Sequence, residues 1–249
     1  MVVPTYNEIE NLEDVITRVL RAAPEVDVLI VDDNSPDGTG KLAEELAAAE
    51  SRVSVLHRTV KEGLGAAYIH GFQVALDAGY EVIGEMDADG SHLPEQLPAL
   101  LAAIDRADLV IGSRWVPGGS VVNWPWHRLL LSRGGNLYTR LLLGIRVRDA
   151  TAGFRLFRRS TLEAIRMETV QALGYVFQVE LAYRTLRAGL RVEEVPIRFV
   201  ERVRGDSKMT PEVARESLVR ITRWGLAERR ERRAQRRARR QASRVHTSR

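Results

Sequence analysis

Short apolar runs alternate with longer amphipathic stretches along the first half of the chain. Val26–Val31 (VDVLIV), Val53–Leu56, Val82–Met86 and Leu109–Gly112 read as buried strands. Between them, apolar residues recur at helical spacing in Ile9–Ala23, Thr39–Ala49, Gly65–Ala78 and Pro94–Ala107. This rhythm predicts an α/β fold, a mostly parallel central sheet with helices on both faces. Ligands of such sheets sit beyond the carboxyl ends of the strands. The first strand is anomalous: only Met1, Val2 and Val3 precede Pro4, so it is either very short or cut at its start.

After Ser113 the rhythm breaks. Pro117-Gly118-Gly119 marks a loop, and 123–145 (NWPWHRLLLSRGGNLYTRLLLGI) mixes tryptophans, leucines and arginines. Arg155–Arg158 reads as a further strand, Tyr175–Ala188 as a helix, Val192–Val200 as a final strand and Pro211–Ala227 as a last helix. There is no internal repeat.

Composition narrows the chemistry. The 249 residues contain no cysteine, which excludes disulfides, thiolate metal sites and a cysteine nucleophile. No apolar run approaches the roughly 20 residues that span a bilayer, and the N-terminus has no basic stretch leading into an apolar one. The net charge of +4 is unevenly spread. Residues 228–249 hold ten arginines against two glutamates, a local +8, so the other 227 residues carry −4. The expected division is a catalytic domain over 1–227 and a basic, disordered tail over 228–249. Such a tail is either a solvated extension or a module that attracts anionic surfaces without sequence specificity.

Acidic residues gather at the predicted strand ends. Asp87 and Asp89 in MDADG lie at i and i+2 of an extended segment, which points both carboxylates to one side. Hard oxygen donors at that spacing suit Mg²⁺ or Mn²⁺ shared with substrate phosphates, against the alternative of a solvated acidic turn. VDDNS places Asp33 where a ribose or base would lie. The competing reading is a helix cap, which Ser35 or Asp37 supplies while Asp33 binds. Lys61-Glu62-Gly63-Leu64-Gly65 opens a helix able to receive an anion, but it lacks a dinucleotide fingerprint.

PTYNE, VDDNSPDGT, KEGLGAAYIHG, MDADGSHLPE, IGSRW, DATAGFRLFRR and RGDSKM occur in this order. Together they resemble the dolichol-phosphate or polyprenol-phosphate mannosyltransferases, inverting A-type glycosyltransferases, over roughly residues 1–225. The resemblance implies a Rossmann-like nucleotide-sugar fold and transfer of mannose from GDP-mannose to a polyprenyl phosphate, with inversion and metal dependence. It implies that Pro4, Tyr6, Glu8, Val31 and Asp33 line the nucleotide, and that Asp87, Ala88 and Asp89 hold the metal and diphosphate. Arg114, Arg202 and Lys208 would bring positive charge to phosphates, with Asp89 and Arg114 at the catalytic centre. Arg128 and Ser132, four apart on a helix, would meet the acceptor phosphate. Some relatives place a glutamine two residues after the second aspartate of the acidic pair; Ser91 stands there in this chain, which puts the metal preference in doubt. His92 is expected to be structural.

A lipid acceptor implies work at a membrane surface, cytoplasmic and peripheral, with an integral-membrane protein as a further partner and no specific nucleic acid. Trp124, Trp126, Leu129–Leu131, Leu137, Tyr138 and Leu141–Leu143 form either an interfacial segment or ordinary core. Rival readings are the same acceptor with another donor such as UDP-glucose, or a non-enzymatic anion-binding module acting through the tail. A processive polysaccharide synthase fits less well, since only Arg220-x-x-Arg223-Trp224 approaches its Q-x-x-R-W motif.

Overall fold

The computed structural model describes residues 1–170, 175–201, 218–227 and 229–230. Its strands are β1 (Val2–Thr5), β2 (Val28–Asp32), β3 (Val53–His57), β4 (Val82–Glu85), β5 (Leu109–Ser113), β6 (Ser120–Val122), β7 (Arg155–Arg158), β8 (Val192–Pro196) and β9 (Arg198–Val200). The helices are α1 (Leu12–Ala22), α2 (Thr39–Ala49), α3 (Leu64–Asp77), α4 (Leu97–Ile104), α5 (Trp126–Leu143), α6 (Arg159–Ala164) and α7 (Tyr175–Arg187), and 218–227 is also helical. The arginine tail beyond Arg230 lies outside the described residues, as do Arg202, Lys208 and the first part of the helix expected over Pro211–Ala227.

Seven strands form one sheet in the order β3-β2-β1-β4-β7-β5-β8. All neighbours run parallel except β7, which is antiparallel to both β4 and β5. The expected mostly parallel α/β sheet is therefore the fold. Beside it, β6 and β9 pair in parallel as a small second sheet. The final strand expected over Val192–Val200 is two strands: β8 belongs to the large sheet and β9 to the small one.

Period-two alternation divides the sheet's side chains between two cores. Val2, Val31, Leu109, Ile111 and Phe157 join α3, α5 and α7 on one face. Val3, Ile30, Val110 and Leu156 join α1 and α4 on the other. Helix α3 lies close to β1 because position 71 is glycine; a Cβ there would collide with Val2.

The short first strand exists despite Pro4. Thr5 and Met1 carbonyls accept from β2, and the Val2 carbonyl faces β4, accepting from Met86. By alternation Pro4 turns its nitrogen toward β4, with which β1 pairs only at Val2. The missing proline N–H thus falls where no ladder partner is required.

Strands β4 and β7 set Glu85 opposite Arg155, both fully buried. Arg155 donates from Nε to the Ala152 carbonyl (2.7 Å), from Nη1 to Gln178 (2.7 Å) and from Nη2 to Ala150 (2.8 Å). Three carbonyls thus take the place of water around the guanidinium. Glu85 lies 3.4 Å from Arg155 Nε. Burial pushes its pKa from 4.5 up to about 8, with Arg155 opposing the shift. A pKa raised in the folded state contributes stability below pH 4.5 that is lost as the pH climbs toward 8. Urea unfolding of wild type and Glu85→Gln should therefore diverge across that window, wild type losing up to a few kcal/mol relative to the variant. A stability difference independent of pH would refute the assignment.

Candidate active site

The carboxyl edge of the parallel strands carries acidic clusters after β2 and after β4. At the end of β2, Asp32 accepts from Ser35 Oγ (2.6 Å) and Thr5 Oγ1 (3.1 Å), tying the β1 and β2 ends together. Its neighbour Asp33 is buried and ion-paired with Arg58, which also binds Glu62 (2.6 Å) and donates to His70 Nδ1 (3.1 Å). Burial raises the Asp33 pKa and Arg58 opposes it. The N-cap of α2 is Gly38, and Asp37 before it accepts from the Thr39 amide (3.0 Å) and hydroxyl (2.6 Å). The carboxylate that serves the start of α2 is thus not Asp33.

Of the other residues expected at the nucleotide, Pro4, Val31 and Ala88 have buried side chains. They can line a ligand only through backbone atoms. Tyr6 carries Lys61 over its ring at 3.4 Å, and Glu8 accepts from Asn11 Nδ2 (3.0 Å).

Beyond β4 stand Asp87 and Asp89. Asp87 accepts from the Tyr68 hydroxyl (3.0 Å). Burial first, and then Asp87, push the Tyr68 pKa well up, so the phenol keeps its proton. Asp89 Oδ1 accepts from the Ser91 amide (3.0 Å) and hydroxyl (2.5 Å). Ser91 therefore orients the carboxylate, in the position where some relatives would offer a glutamine. Gly153 closes the cradle: a Cβ there would sit 3.3 Å from Asp87 Oδ2. Two hard carboxylates fit Mg²⁺ or Mn²⁺ that takes its remaining oxygens from a substrate diphosphate. Among the described residues no group of three or more His, Cys, Asp or Glu side chains could enclose a metal without that help.

His92 packs between Phe154 (5.4 Å between ring centroids) and Phe199 (5.1 Å). Its Nδ1 accepts from the Asp87 amide (3.3 Å), which fixes the proton on Nε2. Burial lowers its pKa to about 4, so it is a neutral strut at pH 7.

Arg114 follows β5. Its amide (2.9 Å) and Nε (2.7 Å) reach Asp149 Oδ2, its Nη2 reaches Asp149 Oδ1 (2.6 Å), and Nη2 also binds Thr151 (2.9 Å). Burial works against the Asp149 anion, but Arg114 outweighs it and the pKa falls. Much of the Arg114 fork is thus engaged by a buried carboxylate. Neither Asp149 nor Tyr68 is visible in the sequence as a site residue. The D-A-T-A-G motif pointed to the segment but not to the ion pair.

Arg128 pairs with Glu201 and lies 4.2 Å over Trp124. Arg114 lies 5.5 Å over the same ring. One indole thus gathers the two arginines expected at donor and acceptor phosphates. Ser132 stands one turn further along α5, and its carbonyl accepts from Asn136 (3.0 Å).

A family model described as glycosyl transferase family 2 matches residues 1–166. The chain is 56% identical over 228 residues to an undecaprenyl-phosphate mannosyltransferase of Micrococcus luteus, covering 92% of this chain and 94% of that protein. It is 53% identical over 234 residues to a polyprenol monophosphomannose synthase of Mycolicibacterium smegmatis, covering 93% and 88%. Among solved structures, glucosyl-3-phosphoglycerate synthase of Mycobacterium tuberculosis, in complex with Mn²⁺, UDP-glucose and phosphoglyceric acid, superposes with a TM-score of 0.62 at 20% identity. That match covers 89% of this chain and 78% of the other, and it shows a shared fold.

The Arg114–Asp149 pair predicts a stability pattern. Asp149→Ala strands a buried guanidinium and should cost about 3–5 kcal/mol in urea unfolding. Arg114→Met combined with Asp149→Leu removes both charges and should recover most of the loss. Additive losses in the double variant would show that the pair is not a unit.

Proposed function

The chain belongs to glycosyl transferase family 2, and we propose that it transfers mannose from GDP-mannose to a polyprenyl phosphate, inverting the anomeric centre. The observation that carries this reading is the 56% identity with a mannosyltransferase of that acceptor class across nearly the whole of both chains. The acidic pair at the sheet's carboxyl edge gives the reading a site.

The acceptor is a phosphate monoester with a second pKa near 6, mostly dianionic at neutral pH. It needs no strong general base. The barrier is electrostatic: one anion must approach another, and a nucleoside diphosphate must leave. A divalent cation supplies charge neutralisation at the leaving diphosphate. Asp87 and Asp89 would hold it, Ser91 aiming one carboxylate and Tyr68 restraining the other. Attack on the anomeric carbon opposite the leaving group turns an α-linked donor into a β-linked mannosyl phosphate. The acceptor oxygen forms the new bond as the glycosyl–diphosphate bond breaks.

For the nucleotide, Asp33, Tyr6, Glu8 and the backbone of Pro4, Val31 and Ala88 line the crevice beside β1, where the crossover direction changes. Arg114 would face the donor's diphosphate, and Arg128, over the same Trp124 ring, the acceptor phosphate together with Ser132. Arg202 and Lys208 would complete the positive lining. Among the described residues no helix is long and apolar enough to cross a membrane. The reading places the enzyme peripherally on the cytoplasmic face of a membrane, where Trp126, Leu130, Leu137 and Leu141 of α5 are exposed.

The test is transfer of radiolabelled mannose from GDP-mannose to polyprenyl phosphate in detergent, with Mg²⁺ or Mn²⁺ and with UDP-glucose as rival donor. Asp89→Asn should lower turnover roughly a hundredfold or more through loss of a metal ligand. Chelation should abolish transfer. Unchanged turnover in the variant would reject the metal assignment, and faster transfer of glucose would reject the donor. Loss of transfer on deleting 228–249 would favour the tail as the working part.

A further inference from the structure

Helix α5 carries an apolar stripe that is left exposed among the described residues. Trp126, Leu130, Leu137 and Leu141 follow one another at spacings of four, seven and four residues, which keeps them within about 60° of one another around the helix. Trp126 is 73% exposed and Leu141 71%. The opposite face delivers Thr139 and Leu143 to the core.

Along one flank of this stripe run Arg133 and Arg140, seven residues apart. They open onto a cavity of about 280 Å³ lined by Trp115, Arg133, Asn136, Leu137, Arg140 and Arg148. Three of its six lining residues are cationic and none is acidic. Arg133 stacks over Trp115 at 4.9 Å. Arg140 Nε is buried and has no hydrogen-bond partner. The nearby carboxylates are already engaged: Asp149 by Arg114, and Glu194 by the amides of Arg148 (2.8 Å) and Asp149 (2.9 Å). A desolvated donor in a cationic pocket is an uncompensated cost, and an anion with several acceptor oxygens removes it.

Arg128 reaches to Trp124 and Glu201, and Trp115 on the pocket wall meets Trp124 edge-on with ring centroids 6.3 Å apart. Leu137 belongs to both the cavity wall and the apolar stripe. An occupant must therefore present an anionic oxygen cluster next to an apolar body. We infer that the Arg133–Arg140–Arg148 pocket binds the phosphodiester headgroup of an anionic bilayer lipid, whose acyl chains lie along the exposed stripe of α5. The inference rests on the reading of a surface-acting enzyme and adds to it a second lipid site beside the acceptor site. It sets the orientation of the chain on the bilayer: α5 lies in the interface and the carboxyl edge of the sheet stands beside it.

Co-sedimentation of the full chain with phosphatidylcholine vesicles, with and without phosphatidylglycerol, tests it. Wild type should bind the phosphatidylglycerol vesicles more tightly, and Arg140→Gln should weaken that binding about tenfold. Arg146→Gln, an exposed arginine outside the pocket, should weaken it less than about fivefold, the effect of roughly 1 kcal/mol for one surface charge. Arg140→Gln should keep mannose transfer to detergent-dissolved polyprenyl phosphate within twofold. Equal losses for the two variants would reduce the pocket to surface charge and overturn the inference. A raised acceptor KM in detergent would assign the pocket to the acceptor and overturn it as well. Thermal stabilisation by inorganic phosphate equal to that by the vesicles would overturn the lipid as occupant. If wild type transfers no mannose yet binds phosphatidylglycerol through Arg140, the pocket stands and the proposed reaction falls.

Discussion

A guanidinium sealed inside the protein holds the site together. Arg155 has no water around it, so it must find acceptors in the chain, and it takes the carbonyls of Ala150, Ala152 and Gln178. The first two belong to the segment between α5 and β7. Pinned there, that segment sets Gly153 against Asp87 and offers the Asp149 carboxylate to Arg114. The third ties the same strand to α7. Arg155 is thus satisfied by carbonyls that it also positions, while the Glu85 carboxylate beside it faces the guanidinium as an ion pair without a hydrogen bond.

Opposite charges are stored in pairs around a crevice that must receive anions. Arg58 is matched by Asp33 and Glu62, Arg114 by Asp149, and Arg128 by Glu201. A carboxylate beside an arginine lowers the attraction that arginine exerts on a phosphate, yet it fixes the planar fork in one orientation. Asp87 and Asp89 also accept from neutral donors, a phenol and a hydroxyl with an amide.

Much of this was readable from the chain, for physical reasons. Strands buried on both faces appear as apolar runs, so β2, β4 and β5 stood out, and α2 is found at its expected bounds. The acidic strand ends were legible because i and i+2 of an extended chain share a side. Three features were not. Nothing in RLFR distinguishes an antiparallel strand from a parallel one, so the direction of β7 came only with the structure. In 123–145 the leucines serve two purposes: Leu143 is core while Leu130, Leu137 and Leu141 face outward. That division blurs the periodicity of α5. The third is long-range pairing. Asp149 lies 35 residues from Arg114, and no local pattern announces that two charges so far apart will share a buried bond.

The reversed strand has an effect on how the polypeptide must assemble. β7 sits between β4 and β5, yet it follows both in the chain. During synthesis β5 therefore has no neighbour to dock against until residues 155–158 emerge, and β8, which pairs with β5, waits with it. The amino-terminal half can form its own three crossovers while the other half stays unattached. Insertion of one late segment then joins the two, and its long-range pairing must await that stretch of chain.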